Sequence, residues 1–331
     1  MYGIWAMPGI RYCGKGYGLP DRRCDIADDC NPGKRRDLAM KNKNIIVVTG
    51  ASSGMGREFT HQIAYWASVG RVTADEIWVI ARRIERLETL KNAVPIPVRP
   101  LALDLTNPDD IDAYRQLLVE ERPNITILAN CAGFGRMDHF EEVPLHAHLN
   151  MVDLNIKAPI AITTHSLPYM RAGARVMNLC SISGFLPCPY INVYAATKAF
   201  MVSWSRALGR ELAHRGIRVT AACPYWVRTE FIDRAQGNGG RGGKHDGRSG
   251  DQREAQRPAF TNFFGIMNAD AVVRRIIADL FHGRSLSLPG LPAKVIFAAS
   301  KLLPVRTLMW AQLRLQHLDG SPIHHSDVPT S

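Results

Sequence analysis

The sequence predicts a doubly wound α/β fold, a parallel sheet with helices on both faces, and two observations carry that prediction. Short apolar runs recur at 45–48, 77–80, 125–128, 176–179 and 217–221, the signature of strands buried on both faces. Helical stretches of roughly ten to twenty-five residues separate them, and strand alternating with helix builds a parallel sheet. The 331 residues are 46% apolar, 21% charged and 8% aromatic, which excludes fibrous, low-complexity and disulfide-scaffold classes.

Taken in order, residues 1–43 are rich in glycine, proline and charge without apolar periodicity and read as a disordered or non-native tail, with a start at Met40 as one account of it. A single folded domain is expected over 44–290. Within it the run 98–103 contains Pro100, which cannot donate to a ladder and so belongs on an edge strand. The third strand does lie at the edge of the doubly wound order 3-2-1-4-5-6. Phe200, Trp204, Leu208 and Leu212 recur every four residues and predict one apolar helix stripe. Residues 234–258 are Gly-rich and charged and read as a flexible insertion. A Leu/Met-rich helical extension is expected over 291–318, around Pro304, with a polar tail at 319–331.

The net charge of +11 invites nucleic acid or an anionic surface as partner. Residues 1–43 hold nine Lys/Arg against five Asp/Glu, and 234–257 hold six against three, so most of the excess sits in two irregular segments. No basic helix interleaved with aromatics appears, and nucleic acid is not expected as a partner. No run approaches the roughly 18 apolar residues of a membrane span, and the first fifteen residues hold no secretory core; a cytoplasmic location is the expectation. Cysteines 13, 24, 30, 131, 180, 188 and 223 are odd in number with no CxxC pair, so reduced thiols and no metal are expected. His146 and His148 stand two apart and face different sides of a helix.

The first strand runs into Thr49-Gly50-Ala51-Ser52-Ser53-Gly54-Met55-Gly56 and then a helix. Such glycines let backbone approach a pyrophosphate whose charge the helix N-terminus stabilises. The same residues spell G-x-S-x-G, the nucleophile elbow of hydrolases. An elbow normally follows several strands, one of whose loops supplies the oxyanion hole, whereas this motif follows the first strand and a hydrolase is not expected. A second motif is more specific: Tyr194 and Lys198 share a helical face, with Ser181 thirteen residues before the tyrosine at a strand end. A tyrosine acting as a base near pH 7 needs its ionisation eased by about 4 kcal/mol. An ammonium ~6 Å away, at an effective dielectric of ~20, contributes about 2.8 kcal/mol, and an oxidised nicotinamide supplies the remainder. Ser181 is placed to hydrogen-bond the substrate oxygen. The second strand ends in Ala81-Arg82-Arg83, two guanidiniums where NAD binders place a carboxylate, which points to the 2′-phosphate of NADP.

On these residues the chain from 44 to about 288 resembles the short-chain dehydrogenases/reductases and their Rossmann fold. The family pattern TGxxxGxG is seen at 49–56, whereas the epimerase-type TGxxGxxG needs glycine where Ser53 stands. Its NAG motif is seen as Asn130-Cys131-Ala132-Gly133, its helix asparagine as Asn155, its catalytic set as Ser181, Tyr194 and Lys198, and its P-G-x-V-x-T as Pro224-Tyr225-Trp226-Val227-Arg228-Thr229. Tyr225 replaces the usual glycine, which bears on the substrate mouth.

The resemblance implies catalysis by Asn155, Ser181, Tyr194 and Lys198, with Asn155 supporting a water-linked proton relay. It implies cofactor contacts from Gly50, Ser52, Ser53, Gly54, Met55, Gly56, Arg82, Arg83, Asp104 (toward the adenine), Asn130, Ala132, Gly133, Tyr194, Lys198, Pro224, Val227 and Thr229. It also implies a homodimer or homotetramer that pairs the helices containing Asn155 and Tyr194. The function expected is an NADP-dependent oxidoreductase interconverting a carbonyl and a secondary alcohol. Loop aromatics Phe134, Phe185, Tyr190, Tyr225, Trp226, Phe231, Phe260, Phe263 and Phe264, with Leu186, point to a bulky apolar substrate of hydroxysteroid size. A 3-oxoacyl thioester reductase, and a dinucleotide-sensing binding protein on the same fold, are the alternatives.

Overall fold

The computed structural model describes residues 43–235 and 265–316. The expectations for 1–42, for 236–258, for Phe260, Phe263 and Phe264, and for the tail at 319–331 lie outside the described residues. Six longer strands, β1 (Asn44–Thr49), β2 (Glu76–Ala81), β3 (Val98–Ala102), β4 (Asn124–Asn130), β5 (Arg175–Leu179) and β6 (Arg218–Ala222), coincide with the apolar runs. A two-residue pair, β7 (Val227–Arg228) with β8 (Met267–Asn268), stands apart, and β9 (Leu286–Ser287) extends the main sheet. That sheet is parallel throughout, in the order β3-β2-β1-β4-β5-β6-β9. Pro100 lies on the edge strand as expected, opposite Val79.

The strands are mostly apolar because each face is covered. Ile46, Val48, Ile77 and Val79 pack with Phe59 and Ile63 of α1 (Gly54–Ser68) and with Val273 and Ile276 of a later helix. Their alternate neighbours Ile45, Val47, Trp78 and Ile80 pack on the other face. There they meet Tyr114 and Leu118 of α3 (Pro108–Glu121), which follows α2 (Ile84–Lys91). Helix α3 starts where its sequence says it should. Asn107 caps it by accepting from the Asp109 N–H at 3.0 Å, and Pro108 fills the first turn.

Helices α4 (Leu145–Val152) and α5 (Ala158–Ser166) form one rod joined by a π turn over Asp153–Lys157. Helix α6 (Asn192–Glu211) packs against β6. Its core side is Met201, Val202 and Ser205, while Phe200 is exposed and stacks on Trp204 with ring centroids 6.4 Å apart. The expected stripe is therefore only half a core stripe. Steps of four residues drift about 40° each on a 3.6-residue helix, so the row that begins outside at Phe200 ends buried at Leu212. The chain continues through α7 (Glu230–Ala235), α8 (Ala269–Phe281), which carries Val273 and Ile276, α9 (Leu291–Leu302) and α10 (Val305–Gln316). Among the described residues no helix is long and apolar enough to cross a membrane.

Candidate active site

The glycine turn is built by close approach. Gly50 has φ +69°, and a Cβ there would stand 2.7 Å from the Ala132 Cα; one on Gly56 would collide with the Gly50 carbonyl. Thr49 Oγ1 accepts from the N–H groups of Cys131 and Ala132, each at 3.1 Å, and so clips the turn to the end of β4. The result is bare backbone at the start of α1, beside a cavity of about 510 Å³.

Gly50, Ser52, Ser53, Gly54, Met55 and Gly56 line this cavity together with Arg82, Arg83, Asp104, Ala132, Gly133 and Phe134. Arg83 Nη2 donates to Ser52 Oγ at 3.2 Å and to Ser53 Oγ at 3.4 Å, so the serine of the apparent hydrolase elbow serves an arginine. Arg82 Nη1 lies 3.6 Å from Asp104 Oδ2. Burial pushes the Asp104 carboxyl up, but bonds from the Thr106 N–H and hydroxyl and the Arg82 guanidinium outweigh it and hold the group below its usual range. No carboxylate stands at the end of β2 in the sequence, yet folding brings one near. Glu230 of α7 sits 3.9 Å from Arg83 and 2.8 Å from Arg86.

A second cavity of about 450 Å³ adjoins the first, and Met55, Cys131, Gly133, Leu179, Thr229 and Phe231 line both. Ser181, Tyr194, Lys198, Pro224 and Val227 are in its wall. Ser181 Oγ accepts from the Ser183 N–H at 3.2 Å and lies 2.9 Å from the Ser183 hydroxyl. Lys198 is buried, donates to the Leu179 carbonyl at 2.7 Å and lies 5.6 Å from the Tyr194 ring centroid.

The chain by itself does not ease Tyr194 toward ionisation. Burial pushes the phenol well above its ordinary range, with the Ser181 hydroxyl bond offsetting part of this, and burial also draws the Lys198 ammonium down. The point-charge expectation left out the desolvation of both groups.

Two expected residues are in neither cavity wall. Asn130 donates to Thr163 Oγ1 at 3.1 Å and Asn178 Oδ1 at 2.8 Å, tying β4 to β5 and α5. Asn155, on the π turn, donates to the Phe134 carbonyl at 2.9 Å and the Thr197 hydroxyl at 3.1 Å, and accepts from the Phe134 N–H at 3.0 Å. It lies one layer behind the cavities.

Of the loop aromatics, Tyr225, Trp226 and Phe231 line the second cavity with Leu186. Phe185 instead packs edge-on to Phe297 and Tyr190 edge-on to His139, both with centroids 4.9 Å apart. Sequence reasoning missed the wall supplied by α9 and α10: Ile296, Ala299, Leu303, Leu308, Ala311 and Gln312. Their apolar spacing signals a helix face but not what it covers. Gln312 stands out chemically, because its Oε1 is buried without a hydrogen-bond partner.

Residues 44–240 match the family profile of the short chain dehydrogenases. A sulfoacetaldehyde reductase of Chromohalobacter salexigens is 34% identical over 197 residues, 56% of this chain and 73% of that protein. A serine 3-dehydrogenase of Agrobacterium fabrum is 33% identical over 198 residues, 58% of this chain and 76% of that protein. Among solved structures, a short-chain dehydrogenase from Sphingobium yanoikuyae in complex with NADPH superposes with a TM-score of 0.59 at 25% identity. It covers 86% of this chain and 99% of that one. A short-chain dehydrogenase/reductase from Burkholderia phymatum in complex with NAD gives 0.62 at 20% identity, covering 85% and 98%.

Proposed function

The chain belongs to the short chain dehydrogenase family of oxidoreductases, and from that premise we propose an NADPH-dependent reductase that interconverts a carbonyl and a secondary alcohol on a bulky apolar molecule. The observation that carries this reading is the seating of Ser181, Tyr194 and Lys198 in the wall of a cavity continuous with the glycine-turn cavity.

The residues around the larger cavity fit a dinucleotide. Bare backbone at Gly50 and Gly56 leaves room that a Cβ would fill, and the α1 N-terminus suits a pyrophosphate. In this reading Asp104 would hydrogen-bond the adenine and Val227 and Thr229 would touch the carboxamide end, with Ala132 and Gly133 in the wall of the same cavity as Asp104. Arg82 and Arg83, with the Ser52 and Ser53 hydroxyls, form a donor cluster suited to a 2′-phosphate. The hydride chemistry at the substrate carbon would be supplied by the nicotinamide cofactor held by these residues.

This chain's own part is to hold the carbonyl and move a proton. The Ser181 hydroxyl positions the substrate oxygen, and Tyr194 donates its phenolic proton to that oxygen as the alcohol forms. A phenol that burial keeps protonated is suited to this direction. Lys198, tethered to the Leu179 carbonyl, places a cation beside the ring. Asn155 acts as a positioning residue by fixing the Phe134 backbone next to Gly133.

The substrate side of the cavity is mostly aliphatic and aromatic, roofed by α9 and α10, which supports a large apolar ligand. The names of the two relatives, by contrast, specify small polar substrates for those proteins. Following NADPH absorbance against ketones graded from small and polar to polycyclic distinguishes the two readings. The same proposal includes a homo-oligomer, supported by exposed Leu149 on α4 and Phe200 on α6.

A further inference from the structure

Helices α9 and α10 present two unlike faces. Inward they wall the substrate cavity. Outward, Leu291, Lys294, Lys301 and Leu302 recur at helical spacing along α9, and Arg306, Trp310 and Arg314 recur every four residues along α10. Leu302 is 81% exposed, Leu291 72% and Trp310 61%. Neither helix contains an acidic residue. The cations keep company with rings: Lys301 lies 5.7 Å from the Phe297 centroid and Arg314 5.7 Å from that of Trp310.

We propose that this outer face docks on the surface of a lipid bilayer bearing anionic headgroups. Large apolar side chains and basic ones alternate along the face, whereas a protein interface gathers an apolar centre inside a polar rim. Alternation suits the headgroup layer, where aliphatic stems and an indole enter the acyl boundary and the cations reach back to phosphates. A second copy fits poorly, since a two-fold contact sets each patch against itself. That would set Lys294, Lys301, Arg306 and Arg314 against the same four cations of the second copy, and neither helix supplies a carboxylate between them. The docking rests on charge and exposure alone and stands apart from the assignment of substrate.

Co-sedimentation of the full chain with vesicles tests it, using phosphatidylcholine alone and phosphatidylcholine mixed equally with phosphatidylglycerol. The protein is expected to pellet with the anionic vesicles at low salt and to be released from them by high salt. Lys301→Gln with Arg306→Gln should weaken partitioning about thirty-fold, at roughly five-fold for each charge near an anionic surface. Leu302→Ser with Trp310→Ser should weaken it about ten-fold or more while far-UV circular dichroism stays unchanged. Equal binding to both vesicle types, or pelleting by both variants like the parent, overturns the proposal. So does an oligomer that Leu302→Ser with Trp310→Ser dissociates, which assigns the face to a second copy. Retention on polyglutamate without retention on vesicles likewise overturns it and assigns the face to an acidic protein.

Discussion

The Lys198 ammonium donates to the main-chain carbonyl of Leu179 at 2.7 Å, so the end of β5 fixes the cation that accompanies Tyr194. Ser181 stands two residues beyond that carbonyl. One strand end therefore sets the positions of both the hydroxyl proposed to meet the substrate oxygen and the lysine behind the tyrosine.

Tyr194→Phe is expected to abolish turnover with fold and NADPH binding retained, because only the hydroxyl leaves a residue packed on its helix. General acid catalysis is commonly worth about 10²–10⁴ in rate. Lys198→Ala should lower both kcat and cofactor affinity. Steady-state kinetics with a fluorescence titration of NADPH checks this. A phenylalanine variant that kept a tenth of kcat, a loss of only about 1.4 kcal/mol, would refute the proton-transfer role.

The two buried groups titrate in opposite senses, and the sign decides the pH profile. Tyr194 is raised, so it keeps its proton through the neutral range and carbonyl reduction is not limited there by its ionisation. Lys198 is lowered, so on the alkaline side it loses its charge before the phenol does. Reductase activity should therefore show an alkaline limb set by Lys198 at a pH below the ordinary lysine range of about 10.4. Lys198→Arg, if active, should move that limb upward. Profiles of kcat/KM for the two proteins test this, and a limb that does not move separates it from Lys198.

Arg82→Ala with Arg83→Ala is expected to weaken NADPH by about a hundred-fold or more while leaving NADH within a few-fold, since charge-assisted bonds to phosphate are worth about 1.5–3 kcal/mol each and two are lost. Glu230, 3.9 Å from Arg83, competes with a 2′-phosphate for that guanidinium. Glu230→Gln should accordingly tighten NADPH modestly. Equal losses for both cofactors in the double variant would show that these arginines do not read the phosphate.

Most of the sheet was legible because a strand buried on both faces is mostly apolar, and Pro100 named its edge. The strands that escaped, β7, β8 and β9, pair over two residues each, too short for any period to register. The glycine turn and the Ser181–Tyr194–Lys198 set were legible because their spacing is itself the chemistry. Glu230 beside Arg83 was not, since the pair is far apart in sequence. The raised Tyr194 pKa was not either, because desolvation depends on what covers the ring. The α9–α10 wall carried a helical pattern, but nothing in that pattern says which cavity it covers.

Ala299 and Trp226 offer the sharpest control over substrate size. Ala299 is a small residue of α9 in the cavity wall, and Trp226 lines the same cavity from the loop after β6. Ala299→Trp should fill a large part of the roughly 450 Å³ and exclude polycyclic ketones, while a small ketone still reaches Ser181 and Tyr194. Trp226→Ala removes an aromatic surface of about 150–250 Å². At ~25 cal/mol per Å² of apolar surface, even half of it is worth about 2–3 kcal/mol, or a thirty- to hundred-fold fall in kcat/KM for large substrates. Gln312→Leu separates shape from polarity in the same wall. It removes an orphaned acceptor, so it should improve binding of purely apolar ketones and weaken those carrying a hydrogen-bond donor that can reach it. If all three variants change small and polycyclic ketones by the same factor, this cavity does not select substrate by size, and the small polar substrates named for the relatives become the better guide.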